Sequence, residues 1–123
     1  MEIIYTKDAP EAIGPYSQAI KVGNLVFTSG QIPINPATGA VEAATIETQT
    51  EQVCKNISAV LTAAGSSLEK VVKTVCFLSN MDDFAAFNAV YSKYFTGNPA
   101  RSCVAVKTLP KNVLVEVDTV AEI

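Results

Sequence analysis

The residues best suited to chemistry lie near the C-terminal end of the sequence. Arg101 and Cys103 stand two positions apart, and Glu116 follows a short distance later. The 123-residue chain contains no histidine, so the commonest general acid–base group and the commonest metal ligand are both missing. Any catalysis must therefore use a guanidinium, a carboxylate, a thiol, hydroxyls or backbone groups.

Each of these residues also has a purely structural interpretation, which the pattern alone favours. Arg101 can form an ion pair with Glu116 or Asp118, and these two carboxylates can belong to a solvated strand face. Cys103 can be a small buried hydrophobic residue, since no histidine activates its thiol and no lysine clearly flanks it. The functional alternatives are ligand binding by Arg101, nucleophilic chemistry by Cys103 and acid–base chemistry by Glu116.

Two further segments could contribute to a site. Ser29 and Gly30 stand at the end of a predicted strand, where backbone N–H groups could meet an anion, although a plain turn is the alternative. Tyr16 follows a glycine-proline loop and is either a site residue or a packing aromatic. The sequence has no Walker loop, no zinc-protease motif and no nucleophile elbow.

Composition excludes several classes of protein. Apolar residues make up 49% of the chain and charged residues only 17%, which favours an oligomer that buries extra surface. The net charge of −3 argues against nucleic acid as the main partner. No apolar run is long enough to span a membrane, and no signal peptide is recognisable, so we expect a cytoplasmic protein. The three widely spaced cysteines predict reduced thiols, without a disulfide framework or a metal site.

The spacing of apolar residues predicts six strands and two helices in a single domain spanning residues 1–123. Two helices cannot cover both faces of such a sheet, so we expect an α+β fold with both helices on one face. The other face is then left for water or for another subunit, and the low charge favours a subunit. The predicted strands are Glu2–Thr6, Ser17–Val22, Leu25–Ser29, Val71–Leu78, Ser102–Thr108 and Val113–Ala121, and the predicted helices run from Thr45–Thr48 to Gly65 and from about Asp82 to Phe95.

Strand periodicity groups the candidate residues. Arg101, Cys103 and Ala105 share one face of their strand, and Glu116 and Asp118 share one face of theirs, about 6.6–6.8 Å apart. Because Val113, Val115 and Val117 suit the core, Glu116 points away from it. We expect Arg101 and Cys103 to point away from the helix-covered core as well. The pattern alone thus predicts a soluble α+β oligomer with a small-anion cleft.

Several segments resemble signatures of the Rid family, also called the YjgF-type family. The resemblance runs in collinear order over essentially the whole chain, and Arg101 with Glu116 resembles the RidA-like, deaminase-competent subgroup. The segments that carry it are Ala12–Gln18, Ser29–Pro33, Val72–Phe77, Asp83-Phe84 with Asn88 and Tyr91, Pro99–Val104, Leu109–Lys111 and Val115–Val117.

This resemblance implies a chorismate-mutase-like α+β fold with a mixed sheet, assembled as a homotrimer with clefts between subunits. It also implies hydrolysis of 2-imino acids and their enamine tautomers, such as 2-iminopropanoate and 2-iminobutanoate, to 2-oxo acids and ammonia. Pyridoxal-phosphate dehydratases acting on serine and threonine release these compounds. No metal or organic cofactor is expected.

The resemblance also implies roles for individual residues. Arg101 binds the substrate carboxylate through its planar guanidinium, and Glu116 orients water and moves its proton to the leaving nitrogen. Tyr16, Ser29 and Gly30 line the cleft. Cys103 contributes binding and packing beside Arg101, because imine hydrolysis needs no covalent nucleophile.

The sequence departs from close relatives at two positions near the site. Ala105 replaces a glutamate that is common in those relatives, and Asp118 stands where glutamate is frequent. Neither change removes a residue on which the reaction depends. The alternative function is a non-enzymatic module that binds small carboxylates or a partner protein. Ribonuclease activity, reported for some relatives, is disfavoured by the acidic charge and the missing histidine.

Overall fold

Six strands form one mixed sheet, and two α-helices pack against one of its faces, as the sequence predicted. The computed structural model describes residues 1–123. The α-helices are α1 (Ile46–Ala63) and α2 (Phe84–Tyr94), and short 3₁₀ turns lie at Leu68–Lys70, Met81–Asp83 and Pro110–Asn112. The strands are β1 (Glu2–Ile4), β2 (Ala19–Val22), β3 (Leu25–Thr28), β4 (Val71–Leu78), β5 (Ala100–Ala105) and β6 (Val115–Glu122).

The strand order is β1-β2-β3-β6-β4-β5, so β4 lies between the last two strands of the chain. Every neighbouring pair is antiparallel except β4 and β5, which run parallel. A parallel pair needs a crossover connection, and α2 supplies it. The apolar pattern of Val71–Leu78 correctly indicated a strand inside the sheet, while β5 forms an edge.

Local signals set the ends of α1 where the sequence predicted them. The Thr45 side chain accepts a hydrogen bond from the Thr48 amide at 3.1 Å, which caps the first turn. Gly65 follows the helix with a φ of 85°, a backbone conformation that favours glycine. Helix α2 begins at Phe84, later than predicted, because Met81–Asp83 forms a 3₁₀ turn first.

The core lies between the helices and the inward face of the sheet. On β6, Val115 and Val117 are fully buried, whereas Glu116 and Asp118 point to the other face. This alternation confirms the prediction for β6. The face opposite the helices, here called the open face, has no covering layer within the protomer.

Buried amide side chains hold the irregular segments beside the sheet. The Asn56 amide on α1 donates to the carbonyls of Ile32 and Ile34 at 3.1 and 2.9 Å. The buried Gln18 amide donates to the Pro10 carbonyl at 2.8 Å and so braces the N-terminal loop. These bonds satisfy backbone groups that no strand partner reaches, and they fix the loops around the site.

Neither helix is long and apolar enough to cross a membrane.

Candidate functional site

A cavity of about 390 Å³ opens where β3 ends beside β6. It brings together four residues that the sequence singled out: Tyr16, Ser29, Gly30 and Glu116. Sequence reasoning did not assign its three remaining lining residues to a site, since isolated apolar residues in loops carry no periodic signal. All three nevertheless lie in segments that carry the family resemblance. The complete lining is Ile13, Tyr16, Ser29, Gly30, Ile32, Pro110 and Glu116.

Backbone pairing places Gly30 beside Glu116. After β3 ends, the chain returns to β6 at Gln31, whose amide donates to the Val117 carbonyl at 2.8 Å and whose carbonyl accepts from the Val117 amide at 3.2 Å. A Cβ atom at Gly30 would lie 2.9 Å from Cδ of Glu116, too close for an ordinary contact. Glycine at this position therefore leaves the space that the carboxylate occupies.

The Glu116 carboxylate sits in an unfavourable place for a negative charge. Burial raises the pKa of Glu116, and the nearby charge of Asp118 raises it further. Burial also raises the pKa of Asp118, although Lys73 acts in the opposite direction. Glu116 is thus a half-buried carboxyl group that holds its proton more readily than an exposed glutamate does.

The hydroxyl groups of the cavity are tied to the surrounding loops. The Tyr16 hydroxyl accepts a hydrogen bond from the Ile13 amide at 3.2 Å. The Ser29 hydroxyl and amide donate to the two carbonyls of Ser17–Gln18, at 2.6 and 2.9 Å. The Ser29 amide is therefore used by the fold, and the Gly30 amide has no hydrogen-bond partner within the protomer. The Ser29 amide that the sequence suggested for an anion is thus not available to one.

Arg101 lies elsewhere, between β5 and α2. Its Nη1 donates to Oδ1 of Asn88 at 2.7 Å. Its guanidinium carbon lies 4.9 Å from the centre of the Tyr91 ring and 5.4 Å from that of Phe84. Arg101 is paired across the strands with Thr74, whose buried side chain also faces α2.

The expectation that Arg101 and Cys103 point away from the helices is wrong. Cys103 packs against the helix-side core and stands opposite Cys76 on β4, whereas Glu116 is on the open face. Burial raises the pKa of Cys103, and the charge of Arg101 only partly offsets this, so the thiol form is favoured. Within one protomer, Arg101 and Glu116 are two strands apart on opposite faces of the sheet.

The apolar open face supplies a further feature of the site. Ile3, Phe27 and Val104 are exposed there, at 63%, 44% and 48% of their surface. Phe27 lies opposite Val120 of β6, the strand that carries Glu116. No group of three or more His, Cys, Asp or Glu side chains is placed to hold a metal ion.

Comparison with known proteins gives matches over nearly the full length. The sequence profile of the endoribonuclease L-PSP family matches residues 6–123. A candidate regulator from Lactococcus lactis, AldR, is 56% identical, and the match covers 100% of this chain and 98% of that protein. Among solved structures, the Rid-family protein YyfA of Yersinia pestis has 50% identity and a TM-score of 0.95, with 99% and 98% of the two chains covered. TdcF of E. coli, solved with bound serine, has 41% identity and a TM-score of 0.95, with 100% and 99% covered.

Proposed function

Since the chain belongs to the endoribonuclease L-PSP family, also known as the YjgF or Rid family, we propose that it hydrolyses 2-imino acids and their enamine tautomers. The products are 2-oxo acids and ammonia, and 2-iminopropanoate and 2-iminobutanoate are the substrates we expect. The observation that carries the proposal is the Glu116 carboxyl group, half-buried against Gly30 with a raised pKa in a largely apolar cavity.

The chemistry suits a single carboxyl group. A protonated imine carbon is already electrophilic, so a water molecule needs only orientation and removal of one proton as its oxygen attacks. Glu116 accepts that proton and returns it to the nitrogen of the resulting carbinolamine. The C–N bond then breaks and ammonia leaves, while Glu116, ionised again, takes the proton of the carbinolamine hydroxyl as its oxygen becomes the new carbonyl. The reaction requires neither a metal nor an organic cofactor.

The substrate carboxylate needs a second group, and we assign it to Arg101 of a neighbouring copy of the chain. Arg101 and Glu116 are on opposite faces within a protomer, so one ligand can contact both only at a junction between protomers. The apolar open face and the low charged fraction support a homotrimer that covers this face. In such clefts Tyr16, Ser29 and Gly30 flank the substrate.

The bound serine in TdcF supports a ligand of this class. Serine carries its carboxylate and its nitrogen on the same carbon, as a 2-imino acid does. A guanidinium can hold the carboxylate with two parallel hydrogen bonds, while the nitrogen lies toward Glu116. The neutral tip of Cys103, which packs beside Arg101 on β5, then shapes the cleft without forming a bond to substrate.

An assay with a threonine dehydratase tests the function. The dehydratase releases 2-iminobutanoate, semicarbazide traps the imine that escapes, and formation of 2-oxobutanoate is followed. Wild-type protein is expected to speed 2-oxobutanoate formation and to suppress the trapped product. In Arg101→Ala, loss of the charged bidentate contact should cost about 2–4 kcal/mol, or about 30- to 1,000-fold in kcat/KM.

Lys107→Ala is the matched control, because it removes a positive charge from an exposed position just beyond the same strand. It should hydrolyse the imine at close to the wild-type rate. The assignment fails if Arg101→Ala is as active as wild type.

The pH dependence offers a second test. Since the charge of Asp118 raises the pKa of Glu116, Asp118→Asn should let Glu116 lose its proton at a lower pH. The acid limb of the kcat/KM profile is then expected to move toward lower pH. Glu69→Gln, which removes a carboxylate from an exposed site that does not act on Glu116, should leave the limb in place. A shift of the Asp118→Asn limb toward higher pH would contradict this electrostatic account.

One relative favours a second function. AldR is named as a regulator, which fits a module that binds a small carboxylate and signals its presence without catalysis. This alternative is supported if the wild-type protein binds 2-oxobutanoate in calorimetry yet leaves the rate of imine hydrolysis unchanged. RNA cleavage, which the family name invokes, is less well supported because the chain carries a net charge of −3 and has no histidine.

A further inference from the structure

We propose that Asn88 is a positioning residue for Arg101: its neutral amide, together with the Tyr91 ring, holds the guanidinium in place without cancelling its charge. The inference rests on the proposed function for the nature of the ligand, a small carboxylate. It concerns a helix that contributes no residue to the cavity around Glu116.

The helical repeat places three side chains of α2, here called the guanidinium seat, against Arg101. Phe84, Asn88 and Tyr91 follow the i, i+4, i+7 spacing, so they lie on one face of α2. That face meets β5 at Arg101: two aromatic rings lie under the guanidinium, and the amide oxygen accepts from Nη1 at 2.7 Å. In the sequence, Phe84, Asn88 and Tyr91 contribute to the family resemblance, but none of the three has a predicted role in a site.

The ring beneath Arg101 is itself held on two sides. The Tyr91 hydroxyl is 2.8 Å from Oγ1 of Thr74, the residue paired with Arg101 across the strands. On the far side, the Tyr91 ring stacks on Phe95 with 4.5 Å between centroids. The seat is therefore fixed before any ligand arrives, which lowers the conformational entropy that Arg101 loses on binding.

The three side chains that bond to or stack on the guanidinium, those of Asn88, Phe84 and Tyr91, are all neutral. A carboxylate at position 88 would form an ion pair with Arg101 and compete with an incoming anion, whereas an amide oxygen accepts one N–H and leaves the positive charge unpaired. Arginine has five N–H donors, so the bond to Asn88 leaves enough for a bidentate carboxylate. An asparagine here thus orients the guanidinium and preserves its affinity for an anion.

Substitutions at position 88 separate positioning from simple structural support. Asn88→Asp keeps the shape and the acceptor oxygen but adds a charge, and Asn88→Ala removes the acceptor. Ala89→Asp is the matched control, since it adds the same charge at the adjacent, exposed position of α2. Two readouts are measured on each protein: the Kd for 2-oxobutanoate by calorimetry, and KM and kcat for imine hydrolysis. Thermal unfolding is recorded alongside.

We expect Asn88→Asp to weaken 2-oxobutanoate binding by about 10- to 100-fold and Asn88→Ala by a smaller factor of about 3- to 10-fold. KM should rise in the same order while kcat changes little, because Arg101 holds the carboxylate in ground state and transition state alike. Asn88→Asp should unfold at no lower a temperature than wild type, because its carboxylate pairs with Arg101. Ala89→Asp should match wild type in Kd, KM and kcat.

An Asn88→Asp variant that binds 2-oxobutanoate as tightly as wild type would overturn the proposal. Weaker binding that occurs only in variants with a lowered unfolding temperature would overturn it as well. The proposed function fails separately. If the wild-type protein binds 2-oxobutanoate but does not hydrolyse the imine, the proposed enzymatic function is wrong. The role of Asn88 is then tested by the Kd values alone, which should still rise from wild type to Asn88→Ala to Asn88→Asp. A wild-type protein that binds no 2-oxobutanoate overturns both.

Discussion

Replacing Glu116 with glutamine is expected to lower kcat for imine hydrolysis by about 100- to 10,000-fold, the range that a positioned acid–base group contributes. Glutamine has nearly the same shape as glutamate and can still hold a water molecule by hydrogen bonding. It cannot accept the proton that the attacking water releases or return one to the leaving nitrogen. KM should change little, because our proposal assigns the substrate carboxylate to Arg101.

Stability measurements distinguish this catalytic loss from misfolding. The pKa of Glu116 is raised in the fold, so the folded state binds its proton more tightly than the unfolded state. The contribution of Glu116 to stability is therefore most favourable below its unfolded pKa and is lost as the pH rises through the folded pKa. Glutamine does not ionise, so Glu116→Gln does not lose this stability as the pH rises. We therefore expect the variant to be at least as stable as wild type at neutral pH.

Asp118→Asn is the matched control for Glu116→Gln, because it removes a carboxylate from the same face of β6 two residues away. Its activity at neutral pH should stay within several-fold of wild type. Activity of Glu116→Gln within tenfold of wild type would exclude Glu116 as the proton-transfer group.

Mixing two inactive variants is expected to restore activity. Arg101→Ala subunits keep Glu116, and Glu116→Gln subunits keep Arg101. In a cyclic trimer whose clefts each take one residue from each neighbour, every mixed trimer has one intact cleft. Trimers purified through different tags on the two variants should therefore show about one third of wild-type activity.

The structural reason is that the sheet separates Arg101 from Glu116 within a protomer, and no change of side-chain conformation brings them to one ligand. The control mixes Arg101→Ala with the double variant Arg101→Ala/Glu116→Gln, in which no subunit carries Arg101. Those trimers should stay inactive. Mixed trimers of the two single variants that are no more active than this control would contradict the shared cleft.

Local sequence predicted the sheet face of Glu116 correctly but not that of Arg101. Alternation along β6 correctly put Glu116 opposite the core, because the valines on either side of it need burial. The same reasoning for β5 failed. Its side chains alternate as expected, but both faces carry small or mixed residues, so composition did not indicate which face the helices cover.

The roles of two buried amides and of one glycine near the site are evident only from the tertiary structure. Gln18 and Asn56 read as ordinary polar residues in the sequence, yet each is buried and replaces backbone partners that the loops lack. The sequence places Gly30 at a predicted strand end. Position 30 requires glycine because a Cβ atom there would meet the carboxylate of Glu116. This proximity arises from the pairing of Gln31 with Val117 of β6, which no local sequence pattern encodes.

The sequence by itself determined the two helices, the approximate strands, the alternation within each strand and the family resemblance that joined Arg101 to Glu116. All of these depend on interactions between residues close along the chain or on matched segments. Only the tertiary structure decided that the two residues lie on opposite faces. That outcome depends on the parallel register of β4 with β5 and on the packing of α2 over Arg101, and both contacts join segments distant in sequence. The arginine and the glutamate therefore belong to one site only if two copies of the chain build it.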